Sequence, residues 1–460
     1  MKDNQTTPFF SRPIARWVLA AAVVASTVAV SIKVTAKPPA PPKHQRIPVR
    51  FWHMWTGEWT PVMNHVVAEF NASQDKYEVI PLLVPSESGN SNNASSKFLL
   101  SVAGGDPPDC MAQWSQAMSA WAQDGILEPI DPLMTPTDKA AYAKCYPVVR
   151  HNGWYKGHLY GLVTAFDVYA CYYRADQFRQ AGLDPDQFPS TLEGLIADGR
   201  RLDKYDAQHN LEHLGYMPET FTNYVSAYGG SLYDPSTGKI LVDTPENLRA
   251  MTGLVTARNA VGNDKVVRFE SGLNSGDGGN WPFIGGQVSV QLDGEWRVQQ
   301  IAQYAPTLDY RIAPLPPPSG GRRLSSFSMV DYLTIPKGAK HPEGAWEFMK
   351  FWAGLSDPAR AAKYKVWFGW LPSSPEMAKA PAFQDFVHKY PQFKTFMDLA
   401  ASDNIVATPP VPLQIYWSDR MQAADDLAMH GKLTPKQALD HLQTDLDREA
   451  ARRKELGYDE

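Results

Sequence analysis

Residues 96–113 read SKFLLSVAGGDPPDCMAQ. The stretch Ser96 to Ala103 reads as a helix, Gly104-Gly105 closes it, and Asp109 to Gln113 follows as an apolar, strand-like run. Working backward, Tyr77 to Val84 reads as another strand. Before that, Thr60-Pro61 supplies an N-cap and first-turn pair, with Val62, Val66, Val67 and Phe70 at helical spacing. Val49-Arg50-Phe51-Trp52 is a short strand at the start. Strand, helix, strand, helix, strand in that order predicts an α/β fold with a parallel sheet, and such sheets place ligands at the carboxyl ends of their strands.

Working forward, the same grammar recurs. Ser190-Thr191-Leu192-Glu193 reads as a capping box opening a helix to about Asp203, and Thr244-Pro245 opens another carrying Leu248, Met251, Leu254 and Val255 on one face. Pro342 starts a helix whose stripe is Ala345, Phe348, Met349, Trp352 and Leu355. Thr434-Pro435 starts the last, with Ala438, Leu439, Leu442 and Leu446. These stripes read as core, so Met349, Trp346, Trp352 and Trp121 are assigned to packing. No repeat period is present.

Length fits two or three domains at about 150 residues each. With 44 Lys and Arg against 49 Asp and Glu, the 460-residue chain has net charge −5, so it lacks the basic excess of a nucleic-acid binder. Hydrophobic residues at 43% and charged residues at 20% are ordinary globular usage, which excludes a mainly disordered chain or one with many membrane spans. The unusual counts are 14 Trp and 38 Pro. A surplus of Trp suggests flat apolar planes used in recognition.

The N-terminus has the order of an export signal: Lys2, Arg12 and Arg16, then an apolar run from Trp17 to Ile32. Residues 1–36 are assigned to a signal peptide or N-terminal anchor, and the proline-rich 37–46 to an extended linker. An extracytoplasmic location follows, with membrane anchoring if the signal stays uncleaved. Cys110, Cys145 and Cys171 cannot all pair, and either buried thiols or one disulfide is compatible with their settings. There is no C-x-x-C; His209 and His213 have an i,i+4 spacing but no third partner, so no metal and no cofactor is predicted.

Four stretches together resemble family 1 extracellular solute-binding proteins, the receptors of bacterial ABC importers for sugars and glycerol-phosphate compounds. Ser101 to Asp109, running on to the segment Trp121 to Asp131, resembles the family's "AGGxPPD" passage. Tyr155 to Leu162, continuing through Tyr172-Tyr173-Arg174 to Ala181-Gly182-Leu183-Asp184-Pro185, resembles its crossing strands and "AGLDP" helix end. Gly285-Gly286-Gln287 to Leu292-Asp293-Gly294-Glu295-Trp296 resembles "GxxAMxxxGxW", and Ile335 to Lys340 before Ala345-Trp346-Glu347-Phe348 resembles "IPKGAKxPEAAWxF". The match spans Ile47 to about Leu446. It implies a periplasmic-binding-protein-like fold of two lobes, each a mixed sheet flanked by helices, discontinuous in sequence and joined by crossing strands. The expected division is 47–165 plus 288–331 for one lobe, and 166–287 plus 332–460 for the other.

A sugar offers an apolar C–H face and a hydroxyl rim, so its receptor needs aromatic planes beside carboxylates, amides or Arg. After the first strand, Trp55, Thr56 and Glu58 fit that requirement; after the third, Trp114, Ser115 and Gln116 do so. From the second lobe come Glu219 and Thr220, with Asp167 and Tyr169 in the first crossing strand. Asp293, Gly294 and Trp296 match the family motif, which implies that Trp296 stacks on the ligand. Trp367 and Phe368, Trp417 with Arg420, and Trp281 as a closing aromatic complete the candidate ligand-binding set.

The resemblance implies binding by hinge closure, delivery to permease subunits of an ABC transporter, a monomeric receptor and no catalysis. The rival reading is a secreted glycoside hydrolase, since Glu58, Asp167, Glu219, Asp293 and Glu295 offer carboxylates that would have to stand about 5–9.5 Å apart. No G-x-S-x-G, H-E-x-x-H or Walker A sequence supports another enzyme class. A cell-surface carbohydrate-adhesion module, with exposed patches and no closed cleft, is the third reading.

Overall fold

The computed structural model describes residues 46–84, 96–114, 117–218, 220–234, 236–273 and 278–457. The expected signal and nearly all of the linker, together with Ser115, Gln116 and Glu219, lie outside the described residues. From Pro48 onward the chain forms one unit.

Eleven strands form the main sheet. In chain order they are β1 (Ile47–His53), β2 (Tyr77–Leu83), β3 (Cys110–Trp114), β4 (Leu127–Glu128), β5 (Gly161–Arg174), β6 (Lys204–Tyr205), β7 (Leu211–Met217), β8 (Val288–Gly294), β9 (Tyr310–Ala313), β10 (Ser326–Pro336) and β11 (Ile405–Ala407). The spatial order is β2-β1-β3-β10-β5-β8-β7-β6, with β9 beside β5 and both β4 and β11 beside β10. β1 and β3 are parallel, as are β7 and β8; β5 and β10 run antiparallel to each other between these two parallel pairs. The α/β class and the crossing strands expected from the sequence are both present.

β5 is the spine. Its first half, through Val168, pairs with β10 from Thr334 back to Ser328, while its second half pairs with β8 from Gly294↔Tyr169 to Val290↔Tyr173. One 14-residue strand therefore serves two half-sheets. A run as buried as Leu162 to Val168 satisfies this role because it is covered on both faces.

Packing corrects the expected division of the chain. β8 lies parallel to β7, with Val288↔Leu214 and Val290↔Tyr216, so 288–294 belongs with the second lobe and not the first. Conversely, helix Pro342–Ala353 packs on β1 and helix Trp59–Ser73: the Phe348 ring lies 5.0 Å from Phe51 and 5.3 Å from Phe70. It therefore belongs with the first lobe. The chain returns along β10, whose start pairs with β11 and whose end pairs with β3. The C-terminal helices Gln414–Met429 and Pro435–Glu455 rejoin the second lobe, where Trp417, Met421, Leu439 and Leu442 enter its core.

Local signals mostly held. Thr244 and Thr434 cap their helices, the latter in a complete capping box with Gln437. Thr191 accepts a hydrogen bond from the Gly194 N–H, without the reciprocal half of the expected box. The first helix starts at Trp59, one residue before the expected cap, and the Thr60 hydroxyl instead donates to the Trp55 carbonyl. All three cysteines are buried free thiols.

Candidate functional site

The parallel pairs β1/β3 and β7/β8 end in the segments singled out from sequence: 54–58, Trp114, 218–220 and 293–296. The structure brings some of these residues together and removes others into the core.

Trp296 follows β8 and is half-buried. Its ring lies directly over Gly294, where a Cβ would come within 1.8 Å of a ring carbon, so only glycine leaves room for this ring position. Tyr169 meets the same ring edge-on at 6.0 Å. Opposite, between helices Trp59–Ser73, Arg297–Tyr304 and Pro358–Phe368, lies a cavity of about 250 Å³, lined by Glu58, Trp296, Gln299, Gln300, Gln303 and Trp367 among others. It combines a carboxylate, three amides and aromatic faces across the two lobes.

A hydrogen-bonded chain runs from this cavity inward to the end of β8. Gln300 Nε2 donates to Glu58 Oε1 at 2.6 Å, Arg297 donates to Gln300 Oε1 at 2.6 Å, and Arg297 Nε donates to Asp293 Oδ2 at 2.8 Å. Asp293 also accepts from the Gly294 N–H. Asp293 is thereby held in place by its neighbours.

Asp167 and Tyr169 are enclosed by protein on β5 yet keep partial exposure. The Tyr169 hydroxyl reaches Met329 Sδ at 3.5 Å. Burial raises the Asp167 carboxyl to about 7, and the carboxyls of Glu295 and Asp331 are driven upward by the same cause. Lys365, from helix Pro358–Phe368, is buried and lowered to about 8 by desolvation; its ammonium donates to the Thr164 carbonyl.

Other predicted residues do not face the cavity. Trp55 is 5% exposed and sits within an aromatic cluster, stacked 5.1 Å from Trp352 and tilted 5.7 Å from Trp370. Trp281 is buried against Tyr172 and Phe283, with the Arg297 guanidinium 4.7 Å above its ring, so it supports Arg297 and is no lid. Trp417 belongs to the second lobe's core, and Arg420 is an exposed cation over Tyr416. Phe368 is the exception: although its ring is fully buried and stacked at 4.0 Å on Trp370, it lines the cavity beside Trp367. Thr56, next to Trp55 in sequence, is exposed, and Thr220 is exposed with its hydroxyl on Thr222. The backbone of Trp114 pairs with Asp331.

Sequence reading missed Gln299, Gln300 and Gln303. Their signal was available: Val298 and Ile301 are buried on one face of helix Arg297–Tyr304, and Gln299 and Gln303, at i,i+4, ride the other.

The family model for bacterial extracellular solute-binding protein matches residues 65–395 of the chain. The chain belongs to this family. Among relatives of this solute-binding protein, the maltotriose-binding protein of Pyrococcus abyssi is 21% identical over 352 residues, covering 73% of this chain and 69% of that one. The sn-glycerol-3-phosphate-binding periplasmic protein UgpB of Escherichia coli K12 is 22% identical over 414 residues, covering 85% and 90%. Among solved structures, CpMnBP1 with mannotriose bound is similar with a TM-score of 0.76 at 26% identity, over 87% of this chain and 99% of that one. The sugar-binding protein MalE of Xanthomonas citri shares the fold, with a TM-score of 0.68 at 20% identity over 90% and 100%. These relatives are named as binding proteins for sugars or for glycerol 3-phosphate. Among the described residues, no helix is long and apolar enough to cross a membrane.

Proposed function

We propose that this protein is the extracytoplasmic receptor of an ABC importer, capturing a carbohydrate or a related polyol or sugar-phosphate compound between its lobes and handing it unchanged to the membrane permease. The observation that carries the reading is the half-buried Trp296 ring, seated over Gly294 and facing Glu58 and the glutamines of helix Arg297–Tyr304. An aromatic plane covers the C–H face of a sugar, and the carboxylate and amides match its hydroxyl rim. Sugar-bound CpMnBP1 and the maltotriose-binding relative favour an oligosaccharide; the glycerol-phosphate-binding relative keeps a phosphorylated polyol in the panel.

Binding without bond cleavage is supported by the carboxyls themselves. A glycosidase holds its two carboxyls about 5 Å or more apart across the sugar. Here Glu58 is engaged by the Gln300 amide and Asp293 by the Arg297 guanidinium, so neither stands free to act in such a pair. The ligand contacts proposed are Glu58, Trp296, Asp167, Tyr169 and Trp367, joined by Gln299, Gln300 and Gln303. Export by the N-terminal segment and action as a monomer complete the reading.

Calorimetry with mannobiose, maltotriose and glycerol 3-phosphate tests it. Saturable binding of one of these that weakens at least about tenfold in Trp296→Ala is expected, a loss of about 1.4 kcal/mol. Undiminished affinity in that variant would remove Trp296 from the site, and turnover of aryl-glycosides would overturn the non-catalytic reading.

A further inference from the structure

The cavity beside Trp296 has a charge character that narrows its ligand. Among the described residues that line it, Glu58 is the one charged group, and the amides of Gln299, Gln300 and Gln303 supply most of the remaining polarity. Each amide offers both a carbonyl and an NH2 group, which suits hydroxyls, since these donate and accept alike. A phosphate dianion or a carboxylate only accepts, so the amide carbonyls and the Glu58 oxygens would face it with no hydrogen between them.

The nearby cations are committed elsewhere. Arg297 donates to Asp293 and to Gln300, with its guanidinium over the Trp281 ring. Lys365 is buried with its ammonium on the Thr164 carbonyl. His65 meets Trp367 edge-on at 4.7 Å and is paired with Glu69 at 3.1 Å. None of the three lines the cavity. The parts of the folded chain outside the described residues, 85–95, 115–116, 219, 235 and 274–277, carry Glu87, Glu219 and Asp277 and no Lys or Arg.

Helix N-termini are the other source of anion donors. Helices Trp59–Ser73 and Arg297–Tyr304 both begin at the cavity, which Trp59 and Trp296 line. Their first-turn donors are spent: the N–H groups of Trp59 and Thr60 donate to the Thr56 and Gly57 carbonyls, and those of Val298 and Gln299 to the Glu295 and Trp296 carbonyls. The third position of the first helix is Pro61, which has no N–H. Glu58 itself stands at the N-cap of that helix, where the macrodipole favours negative charge. The chain's own carboxylate fills the place that a ligand anion would seek.

We propose that Glu58 is a charge filter: the cavity takes an uncharged sugar and rejects its phosphorylated and carboxylated counterparts. This rests on the sugar-receptor reading above and narrows it, setting aside the sugar-phosphate class. A phosphate brought beside Glu58 would meet a like charge and lose hydration with no cation to replace it. A neutral sugar gives up less, because its hydroxyls recover their hydrogen bonds on the same carboxylate and amides.

Calorimetry tests the filter with mannobiose and maltotriose, the same sugars phosphorylated on the 6-hydroxyl of the non-reducing end, and glycerol 3-phosphate. Wild type should bind a neutral sugar at least about a hundredfold more tightly than its phosphorylated form. Glu58→Gln keeps a hydrogen-bonding oxygen and removes the charge, and the preference should shrink to about tenfold or less. Gln303→Lys places a cation at an exposed position of the lining and leaves Glu58 in place. It should narrow the preference by about tenfold, and it reads the charge even if Glu58→Gln does not fold. Wild type that takes a phosphorylated sugar within about threefold of the neutral one, or takes glycerol 3-phosphate in place of both, overturns the filter and leaves the receptor reading standing. A preference that neither variant narrows overturns Glu58 as its cause. Binding of none of these compounds overturns the sugar reading, and the filter with it.

Discussion

Gln300 Nε2 donates to Glu58 Oε1 across 2.6 Å, and the two residues belong to different lobes: Glu58 precedes helix Trp59–Ser73 of the first, and Gln300 rides helix Arg297–Tyr304 after β8 of the second. The bond ends a chain anchored at Asp293 through Arg297. In the proposed reading a sugar hydroxyl uses this same carboxylate, so bridge and ligand would compete for Glu58. Removing the amide in Gln300→Ala should loosen the lobes. A hydrogen bond to a charged group contributes about 1.5–3 kcal/mol, and at this half-buried site about 1 kcal/mol is a fair expectation, or about fivefold in the ratio of closed to open forms. Small-angle scattering of the ligand-free variant should give a larger radius of gyration than wild type; an unchanged radius would show that the bridge does not restrain the lobes.

Gly294→Ala tests the seat of the stacking ring without touching the ring. The added methyl would stand 1.8 Å from a Trp296 ring carbon, so the indole must move. Overpacking of this kind costs about 1–3 kcal/mol of stability. The larger consequence should be on binding: sugar affinity in Gly294→Ala is expected to fall by about the same factor as in Trp296→Ala, roughly tenfold or more. Calorimetry decides, and wild-type affinity in Gly294→Ala would mean that ring placement is not what the glycine protects.

The sequence revealed what is local and concealed what depends on distant partners. Thr244-Pro245 and Thr434-Pro435 announce helix starts through atoms three residues away, and both caps form. The lobe boundary is different in kind. Nothing in Val288 to Gly294 says whether its neighbour is β7 or β3; that is settled by pairing across more than seventy residues, and the expected division failed there. The aromatic residues divide the same way. Trp55 and Trp296 both follow strands, but Trp55 is covered by Trp352 and Trp370 from a remote helix and loop, whereas Trp296 is not. Lys365 was invisible as a site residue because a lone lysine in a helix reads as solvated. Only the fold buries it among carboxyls from three other segments.

The contrast between those two tryptophans has a measurable form. Trp55→Ala opens a void beside Trp352 and Phe368 in the first lobe's core, and truncating a buried aromatic costs about 3–5 kcal/mol. Trp296→Ala removes a half-exposed ring and should cost about 1 kcal/mol or less in stability. Thermal unfolding should therefore show a large drop in Tm for Trp55→Ala and a small one for Trp296→Ala, with the order reversed for sugar affinity among the folded molecules. Equal drops in Tm would place both rings in the core.

Asp425 carries the clearest stability signature against pH. It lies on helix Gln414–Met429, 4% exposed, where Oδ2 accepts the Phe221 N–H at 3.0 Å and Oδ1 has no partner among the described residues. Burial raises its carboxyl to about 7. Below about pH 4 the folded and unfolded chains both hold the proton, and the group contributes no pH dependence. Between about 4 and about 7 the unfolded chain releases the proton while the folded chain keeps it. Folding stability falls across that window as pH rises, and levels off above it. Asp425→Asn cannot ionise, so it should gain on wild type at about pH 8, on the order of 2 kcal/mol, and lose most of that gain at about pH 4. Denaturant unfolding of both proteins at the two pH values measures the difference; a gap between variant and wild type that stays the same at both would show that Asp425 releases its proton as readily in the folded chain as in the unfolded one.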